Sequence, residues 1–192
     1  SIGESTLRVV REYNDDFSII GLSCRGNIEA IKKQIKEFSP LYAAIQDTDK
    51  CSSEIRESLS KEFPETVFYY GDEGVVELAS TQVDILVSAI VGAAGLQPNL
   101  AAINSAKRIA LANKETLVLA GDIFMKLIEE SHTELLPVDS EHNAIYSLLE
   151  GTKEETVERI IITASGGSLR NHSIEDLAQV TAKEALKHPT WN

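Results

Sequence analysis

Short apolar runs alternate with amphipathic stretches along most of this chain. Apolar residues at Ile28, Ile31, Ile35 and Phe38 follow a helical spacing, and the Ser39-Pro40 pair ends that segment. Runs rich in β-branched and aromatic residues lie between such stretches and predict strands. The predicted strands cover residues 17–22, 41–45, 66–70, 83–88, 108–112 and 134–138, and the predicted helices cover residues 4–13, 28–38, 52–63, 72–79, 95–105 and 115–131.

This alternation indicates βαβ units and therefore an α/β fold with a doubly wound, Rossmann-like parallel sheet. The strand over 83–88 is apolar almost throughout, which is typical of a sheet buried on both faces. After Pro137 the pattern predicts a helix, a strand and shorter helical pieces, at 139–149, 159–164 and 174–186. We therefore predict a nucleotide-binding domain over 1–138 and the first part of an α+β domain over 139–192.

Composition and charge argue against two classes of binding partner, nucleic acids and membranes. The chain has 192 residues with a net charge of -12, whereas a nucleic-acid-binding module needs a basic face. No apolar run is long enough to cross a membrane, so we expect neither a nucleic acid nor a membrane as partner. Cys24 and Cys51 form neither a disulfide framework nor a zinc site, which favours a reducing compartment.

Two segments near the start of the chain have features of a dinucleotide site. Ser1-Ile2-Gly3 opens a helix, as the second half of a glycine-rich pyrophosphate loop does. Arg25, Gly26 and Asn27 follow the strand over 17–22, and a basic turn without an adjacent acid suits the 2′-phosphate of NADP. A solvated turn in which Asn27 caps the next helix is an equally good interpretation.

Two later turns also lie at predicted strand ends. The run Ile90–Gly95 is rich in small residues, which either let a ligand approach the backbone or simply form a tight turn. Asn113, Lys114 and Glu115 follow the strand over 108–112. Lys114 could bind an anionic or carbonyl oxygen, and Asn113 and Glu115 could fix a nicotinamide or its ribose. Alternatively, Asn113 caps the helix and Glu115 matches its dipole.

Asp139 and Glu141, one residue apart after an apolar strand, are the candidate metal ligands. Two carboxylates so close repel each other unless a cation or proton lies between them, and oxygen ligands suit Mg²⁺ or Mn²⁺. The alternative is a helix start with Asp139 as its cap. Further on, Ser165-Gly166-Gly167-Ser168 could form a phosphate nest or a plain glycine turn, and His188 and Trp191 could contact a small ligand or belong to a frayed end.

The order of these segments resembles one family closely. Ser-Ile-Gly-x-Ser-Thr-Leu (1–7), Ala-Ile-Val-Gly-Ala-Ala-Gly-Leu (89–96), Leu-Ala-Asn-Lys-Glu (111–115), Pro-Val-Asp-Ser-Glu-His-Asn (137–143), Ser-Gly-Gly (165–167) and His-Pro-x-Trp (188–191) together resemble 1-deoxy-D-xylulose-5-phosphate reductoisomerases. The resemblance implies NADPH-dependent rearrangement and reduction of 1-deoxy-D-xylulose 5-phosphate to 2-C-methyl-D-erythritol 4-phosphate, in the non-mevalonate isoprenoid pathway.

The resemblance also implies a role for each candidate residue. Asp139 and Glu141 would bind Mg²⁺ or Mn²⁺, and Lys114 and Glu141 would act in catalysis. The substrate would contact Lys114, Ser140, Glu141, Ser165, His188 and Trp191. NADPH would contact Ser1, Ile2, Arg25, Gly26, Asn27, Asn113 and Glu115. It further implies a homodimer formed through the catalytic domain, in the cytoplasm of a bacterium or in a plastid.

Two departures from the family pattern stand out, and two other functions compete. Ser168-Leu169 replaces the usual Pro-Phe after Ser-Gly-Gly, and Arg25 stands where the family often has glycine. Because the chain begins inside the dinucleotide motif and stops at His-Pro-x-Trp-Asn, we expect a fragment that is inactive alone. The competing functions are another NADP-dependent oxidoreductase, of the semialdehyde dehydrogenase type with a nucleophilic cysteine, and a non-catalytic nucleotide-binding sensor.

Overall fold

A computed structural model describes residues 1–162 and 167–187 of the chain. It divides into two compact units, Ser1–Tyr146 and the residues from Ser147 onward. The strands are β1 Gly21–Cys24, β2 Tyr42–Ile45, β3 Val67–Tyr70, β4 Val83–Ser88, β5 Ala106–Leu111 and β6 Glu134–Pro137. The helices are α1 Ile2–Glu12, α2 Ile28–Phe38, α3 Ser53–Glu62, α4 Gly71–Ala79, α5 Leu96–Ala102, α6 Lys114–Glu129, α7 Ser140–Leu149, α8 Ile174–Leu177 and α9 Ala182–Ala185, with short 3₁₀ turns at Thr48–Lys50, Ala93–Gly95 and Glu154–Thr156.

All six strands of the first unit are paired in parallel. They form two three-stranded sheets, ordered β1-β2-β3 and β4-β5-β6. Gly21 pairs with Tyr42 in the first sheet, and Val83 pairs with Ala106 in the second. The predicted α/β class with parallel strands is confirmed, but the described strands do not form the single hydrogen-bonded sheet that we expected. In each sheet, nevertheless, the strands follow one another in chain order with the first strand at one edge, as in the two halves of a doubly wound fold.

Each sheet buries its own apolar core against helices. Ile31 and Ile35 on α2 pack with Ala43 of β2 in the first sheet. Phe124 on α6 is fully buried with Ile109 of β5 in the second. Burying a side chain of this size stabilises the fold by about 2 to 3 kcal/mol, so these contacts fix the strand ends from which the candidate site is built.

Two strands differ from their prediction in the first unit. The first strand lies at Gly21–Cys24 rather than at residues 17–22, because its parallel register with β2 begins at Gly21. The β4 strand is not buried on both faces, since Ile85 is 43% exposed. Among the described strands β4 pairs only with β5, and an edge strand of this kind leaves part of its apolar surface open.

The second unit is described as short helices and turns. The Thr181 hydroxyl and Glu184 carboxylate form a capping box at the start of α9, and the Ser168 hydroxyl donates to the Ala185 carbonyl oxygen over 2.6 Å. The strand predicted over 159–164 is wrong for its described residues 159–162, which have no strand pairing. Their β-branched side chains are largely exposed, and a strand is stable only when a neighbour shares its hydrogen bonds.

The border between the units falls after Tyr146, within α7, whereas the sequence pattern predicts a domain border at residue 138. That domain border stays a prediction. In the described ranges, no helix is both long and apolar enough to cross a membrane.

Candidate cofactor and metal site

The candidate residues of the first unit lie where strands end. Arg25 follows β1, the Ile90–Gly95 run follows β4, Lys114 follows β5 and Asp139 follows β6. Parallel strands within a sheet bring their carboxyl ends to the same edge, which is where open α/β sheets bind ligands. The fold therefore gathers the predicted residues into a basic cleft at the first sheet and a polar cluster at the second.

The first feature, which we call the arginine cleft, is an open cavity of about 510 Å³ lined by Arg25, Gly26, Asn27, Ile28 and Lys50. The Asn27 side chain accepts from the Ala30 N–H over 3.1 Å and so caps α2. The capping interpretation of Asn27 is confirmed, and the cap fixes the turn that presents Arg25 beside the cleft. The cavity is within the size range of nucleotide and cofactor sites.

Lys50 lines the arginine cleft although the sequence did not single it out. It ends the 3₁₀ turn that follows β2, and its ammonium lies 3.7 Å from Asp47. The signal that could have found it is positional. β2 pairs in parallel with β1, so a basic residue in the turn after β2 lies at the same sheet edge as Arg25.

A buried amide cluster, formed by Asn99, Asn113 and Thr116, lies behind the turn after β5. Asn113 is 2% exposed and caps α6, accepting from the Thr116 N–H over 3.0 Å and from the Thr116 hydroxyl over 2.5 Å. The Asn99 amide donates to the same Thr116 hydroxyl over 2.8 Å. The capping interpretation of Asn113 is therefore confirmed, and Asn99 and Thr116 are members that the sequence pattern did not indicate.

The Asn113 amide nitrogen also holds the loop after β4. It lies 2.7 Å from the Ile90 carbonyl oxygen, 3.0 Å from that of Gly92 and 3.1 Å from a Glu115 carboxylate oxygen. Three acceptors already surround its two N–H donors. Any effect of the Asn113 side chain on a nicotinamide would therefore pass through the shape of the loop and the position of Glu115.

The second feature, which we call the carboxylate cluster, contains Asp139, Glu141 and Lys114. The Lys114 ammonium lies 2.9 Å from Asp139 Oδ2 and holds the pKa of that carboxyl below its usual range. Glu141 lies in the first turn of α7, two residues along the chain from Asp139. Asp139 in turn raises the pKa of Lys114. The Asp139 carboxylate thus forms an ion pair with Lys114 at the residue that precedes α7.

Two further side chains complete the carboxylate cluster. His142 Nδ1 lies 3.6 Å from Asp139 Oδ1, and the Ser140 hydroxyl donates to Glu141 over 2.6 Å. A small cavity of about 140 Å³ borders the cluster, with Lys114, Asp139 and His142 among apolar side chains of β5, β6 and α6. The cluster therefore combines two carboxylates, a cation, an imidazole and a hydroxyl next to a small recess whose walls are mostly apolar.

These residues fit a hard divalent cation. Within the described ranges, no group of three or more His, Cys, Asp or Glu side chains is placed to bind a metal. Mg²⁺, however, uses one or two carboxylates and completes its shell with water or substrate oxygens. Asp139 and Glu141 supply that number of carboxylates, and the contact of Asp139 with the Lys114 ammonium shows that its carboxylate can pair with a positive charge.

The remaining predicted residues lie at the starts of α1 and α6 or outside the described ranges. Ser1 caps α1 by accepting from the Glu4 N–H over 3.3 Å, and Ile2 is the first residue of that helix, 45% exposed. Glu115 lies in the first turn of α6. Ser165, His188 and Trp191 lie outside the described residues.

Fold and site together define a parallel α/β protein with candidate nucleotide and metal sites at its strand ends. The family model of 1-deoxy-D-xylulose 5-phosphate reductoisomerase matches residues 1–121, and the model of the C-terminal domain of that reductoisomerase matches residues 135–192. The chain belongs to the 1-deoxy-D-xylulose 5-phosphate reductoisomerase family.

Individual relatives agree with this assignment. The 1-deoxy-D-xylulose 5-phosphate reductoisomerase of Chlorobium chlorochromatii is 51% identical over 193 residues, which covers 100% of this chain and 50% of that protein. That of Leptospira borgpetersenii is 46% identical, covering 100% of this chain and 49% of the relative. The chain therefore spans about half the length of the curated relatives it matches.

Solved structures show the same likeness. The reductoisomerase from Zymomonas mobilis in complex with NADPH superposes with a TM-score of 0.86 at 39% identity, covering 98% of this chain and 49% of that one. A crystal structure of DOX-P reductoisomerase with NADPH, fosmidomycin and magnesium gives a TM-score of 0.80 at 36% identity, covering 100% and 49%.

Proposed function

We propose that this chain supplies the NADPH-binding part and the first metal ligands of an enzyme that converts 1-deoxy-D-xylulose 5-phosphate to 2-C-methyl-D-erythritol 4-phosphate. The observation that carries the proposal is the carboxylate cluster, in which Lys114 contacts Asp139 just after β6 and Glu141 follows in the first turn of α7. Family membership and the NADPH and magnesium complexes of the solved relatives support it.

In this proposal the cofactor lies along the strand ends. Arg25, Gly26 and Asn27 would hold the adenosine end, because the arginine cleft presents a guanidinium to a phosphate. Ser1 and Ile2 would face the pyrophosphate at the start of α1, and Asn113 with Glu115 would set the nicotinamide position. Bound NADPH would supply the hydride that reduces the rearranged substrate.

The metal would be held by Asp139 and Glu141 and would supply Lewis-acid polarisation of substrate oxygens. Lys114 would release Asp139 and place its ammonium on the reacting oxygens, and the hydroxyl of Ser140 would hold a substrate oxygen. Ser165 and His188 would hold substrate hydroxyls or phosphate, with Trp191 covering them. The Lys114 side chain is 60% exposed, so it has room for this movement.

The test is a turnover assay on the full-length protein that carries this sequence. NADPH oxidation is followed with Mg²⁺ and 1-deoxy-D-xylulose 5-phosphate, and the product is identified by mass spectrometry. We expect oxidation that requires both the sugar phosphate and the metal. A folded protein that binds NADPH and metal without oxidising NADPH in the presence of this substrate would overturn the proposal, and would favour the non-catalytic sensor instead.

The cysteines argue against the semialdehyde dehydrogenase alternative. Burial raises the pKa of the Cys24 thiol to about 11, and burial also raises the pKa of Cys51, which is 1% exposed. A nucleophilic cysteine needs a lowered pKa and access to substrate. We predict that the double variant Cys24→Ala, Cys51→Ala keeps at least about half of the turnover wherever thermal unfolding shows that it is folded. Loss of turnover in a folded double variant would favour the alternative.

We also infer a phosphorylated sugar as the partner molecule and a homodimer formed through the catalytic domain, in the cytoplasm of a bacterium or in a plastid. The fosmidomycin complex of a relative supports the sugar phosphate, and the bacterial source of the similar proteins supports a bacterial origin. Light scattering of the full-length protein tests the dimer, because a monomer mass at working concentration would contradict it.

A further inference from the structure

The arginine cleft contains a cation that the family pattern did not lead us to expect. The Lys50 side chain lies against Gly26, where a Cβ atom would come within 2.8 Å of Lys50 Cδ and 3.4 Å of Lys50 Cβ. Any larger residue at position 26 would push this side chain away. The glycine therefore provides the surface on which the aliphatic part of Lys50 packs, which limits where its ammonium can go.

The charges around Lys50 show what the ammonium could bind. Its contact with Asp47 is 3.7 Å long, beyond hydrogen-bond distance, so within the described part of the chain its donors remain available. Arg25 lines the same cleft from the turn after β1, and the Asp47 N–H donates to the Arg25 carbonyl oxygen over 2.6 Å. Two cations on two adjoining turns thus flank one open cavity.

The Asp47 carboxylate would affect the choice between NADH and NADPH. An acidic residue near the ribose favours NADH, because it accepts from the ribose 2′-hydroxyl and repels a 2′-phosphate. Asp47 immediately precedes the 3₁₀ turn after β2 at this edge, with a side chain that is 24% exposed. Its negative charge would oppose NADPH unless a neighbouring cation offset it.

We propose that Lys50 offsets Asp47 and contacts the 2′-phosphate of NADPH, so that it determines preference for NADPH over NADH together with Arg25. The proposal rests on the proposed use of NADPH. Lys50 acts as a point charge, whereas the Arg25 guanidinium offers a planar fork, and a doubly charged phosphate can take both.

The experiment measures dissociation constants of NADPH and NADH, from the fluorescence of the bound dinucleotide, on the full-length protein and its variants. For Lys50→Met we expect NADPH binding to weaken about tenfold while NADH binding changes less than about twofold, since one charged phosphate contact is lost. Lys50→Arg should keep most of the NADPH affinity. The double variant Asp47→Asn, Lys50→Met should recover part of it, because the repelling carboxylate is gone.

Lys61→Met is the matched control. Lys61 also lies on the surface with one loosely paired carboxylate, Glu57, at 3.9 Å, and we expect no change in either affinity. Equal weakening of NADPH and NADH by Lys50→Met, or no weakening of either, would overturn the role of Lys50. A wild-type protein that binds NADPH no better than NADH would overturn the NADPH assignment itself, which separates the two failures.

Discussion

Three buried polar side chains, Asn99, Asn113 and Thr116, hold the start of α6 and the loop after β4 in place. Each is at most 2% exposed, and their hydrogen bonds run from α5 to α6 and on to the loop after β4. Leaving one buried donor or acceptor without a partner costs about 1 to 3 kcal/mol. The cluster therefore holds Lys114 and Glu115 in place through its own rigidity.

Gly95 is the residue at which this rigidity can be tested. A Cβ atom there would come within 2.9 Å of both Cγ and Nδ2 of Asn113, and Asn113 cannot yield without losing its hydrogen bonds. We predict that Gly95→Ala lowers the free energy of unfolding by about 1 to 3 kcal/mol and weakens NADPH binding. Denaturant titration and nucleotide titration of the full-length protein measure the two effects.

Gly121→Ala provides the comparison. Gly121 follows the kink at Ala120 in α6 and has open space around it, so an added methyl group meets nothing and we expect stability to change by less than about 0.5 kcal/mol. Equal stability of the two alanine variants would mean that the contact with Asn113 does not restrict position 95.

At the scale of helices and strands, three charged residues join α2 to α3. Lys32 and Lys36 on α2 contact the two oxygens of Glu62 at the end of α3, at 2.6 and 2.7 Å. A hydrogen bond from Lys32, and to a smaller extent one from Lys36, lowers the pKa of Glu62 below its ordinary value of 4.5. The carboxylate form is therefore favoured by folding.

This shift predicts a dependence of stability on pH. Because the folded pKa of Glu62 is the lower one, its contribution is fully present above the unfolded pKa and disappears as pH falls through the folded pKa. We expect Glu62→Gln to be less stable than the wild type at neutral pH, with a difference that shrinks steadily below pH 4.5. Thermal melts across that range measure the difference. Glu57→Gln, which removes only an exposed contact at 3.9 Å, should show a smaller effect, and a pH-independent gap for Glu62→Gln would refute the assignment.

Some bounds of helices and strands could be predicted from the sequence and others could not. The bounds of α2 follow from local signals, since an asparagine cap, a helical apolar spacing and Ser39-Pro40 all lie within the segment. The start of β1 does not, because Phe17-Ser18-Ile19-Ile20 has strand composition while the register is set by pairing with β2. Gly21 also fits closely against Leu78 of α4, a contact that no local pattern reveals.

The residues of the candidate site likewise divide into those that the sequence could predict and those that it could not. The turn residues Arg25, Lys114 and Asp139 could be predicted as candidates because each lies within three residues of the end of a strand. Asn99 and Lys50 could not, because their partners lie on other elements and meet them only through packing. Local chemistry thus predicts candidate groups at the strand ends, and tertiary contacts show which other groups lie beside them.

Across the whole molecule, the proposed cofactor residues and the proposed metal ligands belong to one compact unit, although they match two different family models. The first model ends at residue 121 and the second begins at residue 135, whereas the first unit extends to Tyr146. The pairing of β5 with β6 fixes Asp139 relative to Lys114. Cofactor and metal would therefore be held by a shared framework but by different side chains.

This separation predicts that the metal function can be removed while NADPH binding is kept. Glu141→Gln replaces one anionic oxygen of the carboxylate cluster with a neutral amide and leaves the arginine cleft untouched. We expect turnover of the full-length protein to fall at least about a hundredfold, since polarisation by a metal contributes several kcal/mol, and Mn²⁺ binding measured by electron paramagnetic resonance to weaken in parallel. The NADPH dissociation constant should change less than about twofold. The control is Glu129→Gln at the far end of α6, which should alter neither turnover nor Mn²⁺ affinity. If Glu141→Gln weakened NADPH as much as Mn²⁺, the two groups would not be held by separate side chains, and the assignment of Glu141 to the metal would fail.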